Sequence, residues 1–165
     1  MRLSEGVEWA VHSVVVLAFF PPGGALTAAQ LAEYHDLPTA YLAKQLQALA
    51  RAGVLETVRG RGGGYRLARP AEEITVLDCV EAIEGREPAF RCTEIRRRGP
   101  AAVPAAEYRT MCGVHVAMVR ADEAWRAELR ATTVADLVLG VVRDASPKAL
   151  EQGASWAAEI LGGSR

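Results

Sequence analysis

A chain of 165 residues, half of them hydrophobic and 24% charged, has the size and composition of one globular domain with an arm, and can bury a real core. Its formal net charge of −1 excludes a uniformly basic nucleic-acid coat, and Cys79, Cys92 and Cys112 are too few and too scattered for a disulfide framework. The apolar run at 9–20 is too short to span a bilayer, holds His12 and Ser13, and stops at Pro21-Pro22, while Glu5 and Glu8 stand where a signal peptide is basic. The expectation is a cytoplasmic protein with reduced thiols and no membrane partner.

Taken in chain order, Ser4 is placed to cap a first helix reaching about Phe20 and ended by PPGG at 21–24. Inside it Glu8 and His12 lie four residues apart, stacked on one face of an otherwise apolar helix. Such a pair is an ordinary surface contact, or two donors that a metal would satisfy. TAAQ at 27–30 is a capping box opening a short helix to about His35, and Asp36 breaks it. Pro38 sits at or near the first turn of a third helix. There Leu42, Leu46 and Leu49 fall on one buried stripe, leaving Thr39, Ala40, Lys44, Gln45 and Arg51 outward, and Gly53 ends the helix.

VLETV (54–58) and YRLAR (65–69) read as two strands joined by RGRGGG, whose glycines permit positive φ. Helix, tight turn, second helix and glycine-rich hairpin together make the winged helix-turn-helix pattern. ITVLDCVEAIEG (74–85) predicts a helix whose stripe includes Cys79, a small buried hydrophobe. A Pro- and Arg-containing loop covers 86–111, a helix runs from about Val114 to Ala131, and the threonines of TTVADLVLGVV cap the next. The tail from Asp144 has no clear partner, and ALEQGASWAAEIL within it reads as a weak amphipathic helix whose order is open. The fold class expected is mainly α with a small β-hairpin wing.

Charge is distributed unevenly along this plan. Between Pro38 and Arg69 stand Lys44, Arg51, Arg59, Arg61, Arg66 and Arg69 against the single acid Glu56, so the rest of the chain is net negative. A basic block inside an acidic chain marks a local anion-binding face. Thr39, Tyr41, Lys44, Gln45 and Arg51 are candidates for base edges or phosphates, and Arg59 and Arg61 suit a narrow, negative minor groove.

Residues 1–15 (MRLSEGVEWAVHSVV) and 37–85, above all YLAKQL, RAGVLETVRGRGGGYRLARP and ITVLDCVEAIEG, resemble the Rrf2 family of bacterial winged-helix regulators, which includes IscR-, NsrR- and RsrR-type members. The resemblance extends to about residue 143. It implies a winged-helix DNA-binding domain at 1–85, a cluster-binding loop at 86–112, a dimerisation helix and following helix at 113–143, and a tail at 144–165. It further implies a homodimer on a palindromic double-stranded DNA operator, with no catalytic residues and no small-molecule substrate. Ala43 replaces an acid that reads bases in IscR-type members, so the operator need not match theirs.

Cluster-bearing members carry three cysteines near Cys92; here Cys92 and Cys112 match two and the middle one is missing. Two thiolates need two further donors to hold a 2Fe–2S cluster. The resemblance offers two completions. RsrR-type members, which EWAVH and the long CTEIRRRGPAA loop resemble more closely, imply Glu8 and His12 from one subunit with Cys92 and Cys112 from the other; IscR-type members imply His115 as a substitute. Exchanging two thiolates for carboxylate and imidazole removes one negative charge, which raises the reduction potential. Trp9 and His35 are candidate switch residues, and Arg96 to Arg98 read as a solvated run. The alternatives are a cluster-free regulator sensing through Cys92 and Cys112 thiol chemistry, one acting through a partner protein, and, last, a metal enzyme with Glu8 as base.

Overall fold

A computed structural model describes residues 3–21, 23–60 and 62–162. Its helices are α1 (Glu5–Ala18), α2 (Ala28–His35), α3 (Thr39–Arg51), α4 (Val76–Glu84), α5 (Gly113–Ala131), α6 (Val134–Asp144) and α7 (Pro147–Gly162). Strands β1 (Leu55–Val58) and β2 (Gly64–Leu67) pair antiparallel, Leu55 opposite Leu67 and Val58 opposite Gly64. The molecule is mainly helical with a two-stranded wing, as the sequence predicts. Among the described residues no helix is long and apolar enough to cross a membrane.

Three helices begin with the same device. Thr27, Thr75 and Thr133 each accept from the backbone N–H three residues on, while Gln30, Asp78 or Asp136 accepts from the threonine's own N–H. Ser4 occupies the N-cap position of α1 but makes no capping bond; its hydroxyl and N–H donate instead to Glu84 Oε1 at 2.6 and 2.9 Å, tying the start of α1 to the end of α4. Asp36 closes α2 in the left-handed region, φ 52°, and its neighbour Leu37 donates back to the Ala32 carbonyl at 2.8 Å. That turns the chain sharply into α3.

The core gathers Ala10, Val14 and Leu17 of α1, Leu31 of α2, Leu42, Leu46 and Leu49 of α3, and Cys79 of α4. Cys79 is fully buried and its thiol is pushed up to about 12, chiefly by burial, so it stays a protonated hydrophobe. The wing is fixed to this core by a bridge between Leu26 and Tyr65, which exchange backbone bonds of 3.0 and 2.7 Å. Gly64 makes the approach possible: a Cβ there would collide with the Leu26 carbonyl, and its φ is +154°.

Two ties hold the C-terminal half. Thr75 and Thr133 form an isolated bridge, with Val76 N–H donating to Thr132 and Val134 N–H to Ile74. Arg126 of α5 pairs with Glu81 and Asp122, each at 2.8 Å, and also donates to the carbonyls of Arg86 and Glu87. Helix α5 itself has no buried residue, and Val114, Val116 and Met118 stand exposed on it. The tail is helical: α7 lies with Trp156, Ala157 and Ile160 against the core.

Candidate nucleic-acid interface and metal centre

Helix α3 buries its leucine stripe and turns Thr39, Tyr41, Lys44 and Arg51 outward. Lys44 Nζ lies 5.1 Å from the centre of the Tyr41 ring, a cation–aromatic contact that holds both side chains on the outer face. Gln45 departs from expectation. Its amide lies against Gly6 of α1, where a Cβ would approach it to 2.9 Å, so it fills the α1–α3 seam rather than the outer face. The physical reason lies across the seam: residue 45 borders the leucine stripe, and Gly6 opposite leaves room for an inward side chain.

The basic block is only partly free. Arg66 pairs with Glu56 across the hairpin at 2.6 Å, and Arg69 reaches Asp78 at 3.4 Å. Lys44, Arg51 and Arg59 are exposed and make no ion pair among the described residues, whereas Arg61 lies outside them. The cations left for an outside anion therefore line α3 and the wing tip, a layout matched to a duplex groove and its flanking phosphates.

The cysteine loop is built around one ion pair. Glu94, at φ 47°, receives Arg96 through bonds of 2.8 to 3.2 Å. Arg96 stacks on Tyr108 at 4.3 Å, and the Tyr108 hydroxyl donates to the Arg96 carbonyl at 2.6 Å. Arg96 is thus engaged rather than part of a solvated run, and its hydrogen bonds hold the Glu94 carboxyl below its usual range. Cys92 Sγ lies 3.9 Å from Glu94, and Cys112 is near enough that a thiolate there would act on Arg96. Both thiols, neither in a disulfide, flank the same pair. Glu94, Arg96 and Tyr108 had no periodic signal to announce them; only the odd run of three arginines hinted at a role.

Glu8 and His12 are both exposed on α1, and Glu8 has no hydrogen bond or ion pair among the described residues. The His12 ring meets His35 edge-on at 5.8 Å. Burial, and then the His12 charge, lower the His35 pKa against a hydrogen bond with the His12 backbone, and His35 Nε2 is buried without a partner. Trp9 packs on the core between the two donors in sequence. His115, one turn after Cys112, tilts against Phe90 at 6.3 Å with its buried Nδ1 unpartnered. Within one chain, among the described residues, no three His, Cys, Asp or Glu side chains gather as a metal site. The candidate ligands fall in two places, a carboxylate and an imidazole on α1 and two thiols at the ends of the loop. Each place would supply the two protein ligands that one iron of a 2Fe–2S cluster takes, so the residue chemistry would fit that group only if the two places met.

A family model described as "Rrf2: Iron-dependent Transcriptional regulator" matches residues 3–140. Protein aau3 of Rhizobium meliloti is 36% identical over 139 residues, 84% of this chain and 85% of that protein. The HTH-type transcriptional regulator IscR of Cereibacter sphaeroides is 41% identical over 86 residues, 51% of this chain and 56% of that one. Among solved structures, CymR of B. subtilis, titled the global cysteine regulator, aligns with a TM-score of 0.66 at 22% identity over 84% of this chain and 96% of that one, a likeness of fold.

Proposed function

Because this chain belongs to the Rrf2 family of DNA-binding transcriptional regulators, which are not enzymes, we propose that it is a homodimeric redox switch that carries a 2Fe–2S cluster and reads a palindromic operator in the cytoplasm. The observation that carries this reading is the pair of ligand-type side chains, Glu8 and His12, exposed one turn apart on a helix whose other face lies in the core. In a dimer, α1 of one subunit faces the cysteine loop of the other, and Glu8, His12, Cys92 and Cys112 complete one site, with His115 as the substitute nitrogen donor. The exposed apolar side chains of α5, with Val114 and Met118 one turn apart on one face, support pairing of subunits along that helix. Bound there, the cluster supplies reversible one-electron chemistry at a potential above that of an all-cysteine site.

The chain's own residues account for the rest. The Glu94–Arg96–Tyr108 knot presents the two thiols, and α1 packs directly on α3, so strain at Glu8 and His12 reaches the reading helix through Trp9 and the core. Thr39, Tyr41, Lys44, Arg51 and the wing residues Arg59 and Arg61 meet the DNA, with residues 1–85 as the reading head and 86–143 as the sensing and dimer-forming part.

A second reading, a cluster-free thiol switch, is favoured by the two cysteines sharing one Glu94–Arg96 pair. Anaerobic purification with absorption spectra and iron and sulfide assays separates the two. About two irons and two sulfides per chain, with bands that bleach under dithionite and return in air, are expected. A colourless protein that cannot be reconstituted, and whose DNA affinity follows thiol oxidation, overturns the cluster reading.

A further inference from the structure

A cavity of about 590 Å³ lies between α1, α2, α6 and α7, well within the span of small-molecule sites, roughly 300–1,000 Å³. It exists because of what α7 offers to its neighbours. Ala149, Gly153 and Ala157, spaced by four, line the cavity and are too small to fill the space in front of α1 and α2. A Cβ built on Gly153 would meet nothing within 4 Å except the Tyr34 hydroxyl at 3.6 Å. Trp156 forms one wall, its ring edge-on to Phe20 at 6.0 Å and tilted on Tyr34 at 4.6 Å.

The chemistry of the lining selects the occupant. None of the lining residues is Asp, Glu, Lys or Arg, so an ionised ligand would be desolvated without a partner. Three aromatic side chains at steep mutual angles suit the faces and edges of another ring. Apart from His12, which the regulator reading assigns to the cluster, polar side-chain groups are few: the Tyr34 hydroxyl, the Trp156 indole N–H and the imidazole of His35.

We propose that this cavity is an effector site for a neutral, compact aromatic molecule bearing one hydroxyl or N–H group. Tyr34 and His35 close α2, immediately before the left-handed Asp36 and the start of α3, so an occupant presses on the turn that sets one reading helix against the other. This coupling to DNA rests on the regulator reading above; ligand binding itself does not.

The test is calorimetric titration of the full-length protein with 2-naphthol. One saturable site per chain is expected, weakened about tenfold or more by G153L and by placing the charge of 2-naphthalenesulfonate on the same rings. G153L should fold at least as well as the parent, since leucine replaces a glycine inside a helix, and A157L serves as an independent filling variant. No saturable binding, equal binding by both filled variants, equal binding of the sulfonate, or a changed oligomeric state in G153L overturns the proposal, the last by making the cavity a contact between copies. A duplex recovered by selection from a random pool then reports the coupling: its Kd should shift about fivefold with saturating 2-naphthol, and not in G153L. An unchanged Kd overturns the effector role. Failure to recover any bound duplex, with naphthol binding intact, overturns the regulator reading and leaves the cavity standing.

Discussion

Arg59 and Arg66 show how little a residue's identity says about its use. Both sit on the wing, yet Arg66 spans the hairpin to Glu56 while Arg59 pairs with no acid among the described residues. Arg59→Ala should therefore weaken duplex binding and make the slope of log affinity against log salt shallower by about 1, whereas Arg66→Ala should change the slope less. Titration of binding at several salt concentrations checks both. Cys92→Ala or Cys112→Ala should lose the visible absorption of the anaerobic protein while far-UV circular dichroism is kept, because neither side chain is part of the core; retained colour would remove that cysteine from the ligand set. Glycine 64 is a position where backbone freedom is required, and Gly64→Ala should destabilise by about 2 kcal/mol or more in urea unfolding, through collision with the Leu26 carbonyl. The outward leucine-free positions of α3 were legible from spacing alone, but Gln45 was not. Its inward turn depends on Gly6, thirty-nine positions earlier in the chain, and no local pattern records that contact.

At the scale of elements, what was readable is what is locally encoded. The capping box at Thr27, the threonine start of α6, the leucine stripe of α3 and the glycine hairpin all declare themselves within a few residues, and all are present. Thr133→Ala should cost about 1 kcal/mol, seen as a lowered thermal midpoint, because the Val134–Asp144 helix loses the hydroxyl that receives the Asp136 N–H. Elements whose reason is distant were hidden. Ser4 is drawn away from its cap by Glu84, eighty residues on. The cysteine loop is ordered by a Glu–Arg–Tyr knot with no period. Helix α7 packs through Trp156, Ala157 and Ile160, a set that reads as weak until the core is seen beside it.

For the molecule as a whole, acid sensitivity follows from the start of α4 and the proposed assembly from the outer face of α5. Burial opposes ionisation of Asp78, but bonds from the Thr75 backbone and hydroxyl, with Arg69, outweigh it and set its pKa below the usual 3.8. A depressed carboxyl pKa gives stability that is complete above the unfolded-state value and is lost as pH falls through the folded one. The thermal midpoint should therefore drop more steeply between about pH 5 and 3 in the parent than in Asp78→Asn. Val114→Glu combined with Met118→Glu places charge on the exposed face of α5 and should yield monomers by sedimentation equilibrium while leaving the wing folded. Arg126, finally, gives the chain between Glu87 and itself the shape of a lasso. That chain leaves the end of α4 and is cinched back to Glu81, Arg86 and Glu87 by a single guanidinium. Lengthening a loop whose ends are already knotted costs little, about 0.6 kcal/mol for each doubling. The noose can grow, shrink or be exchanged for another while the reading head keeps its shape, and any tug on it arrives at one knot.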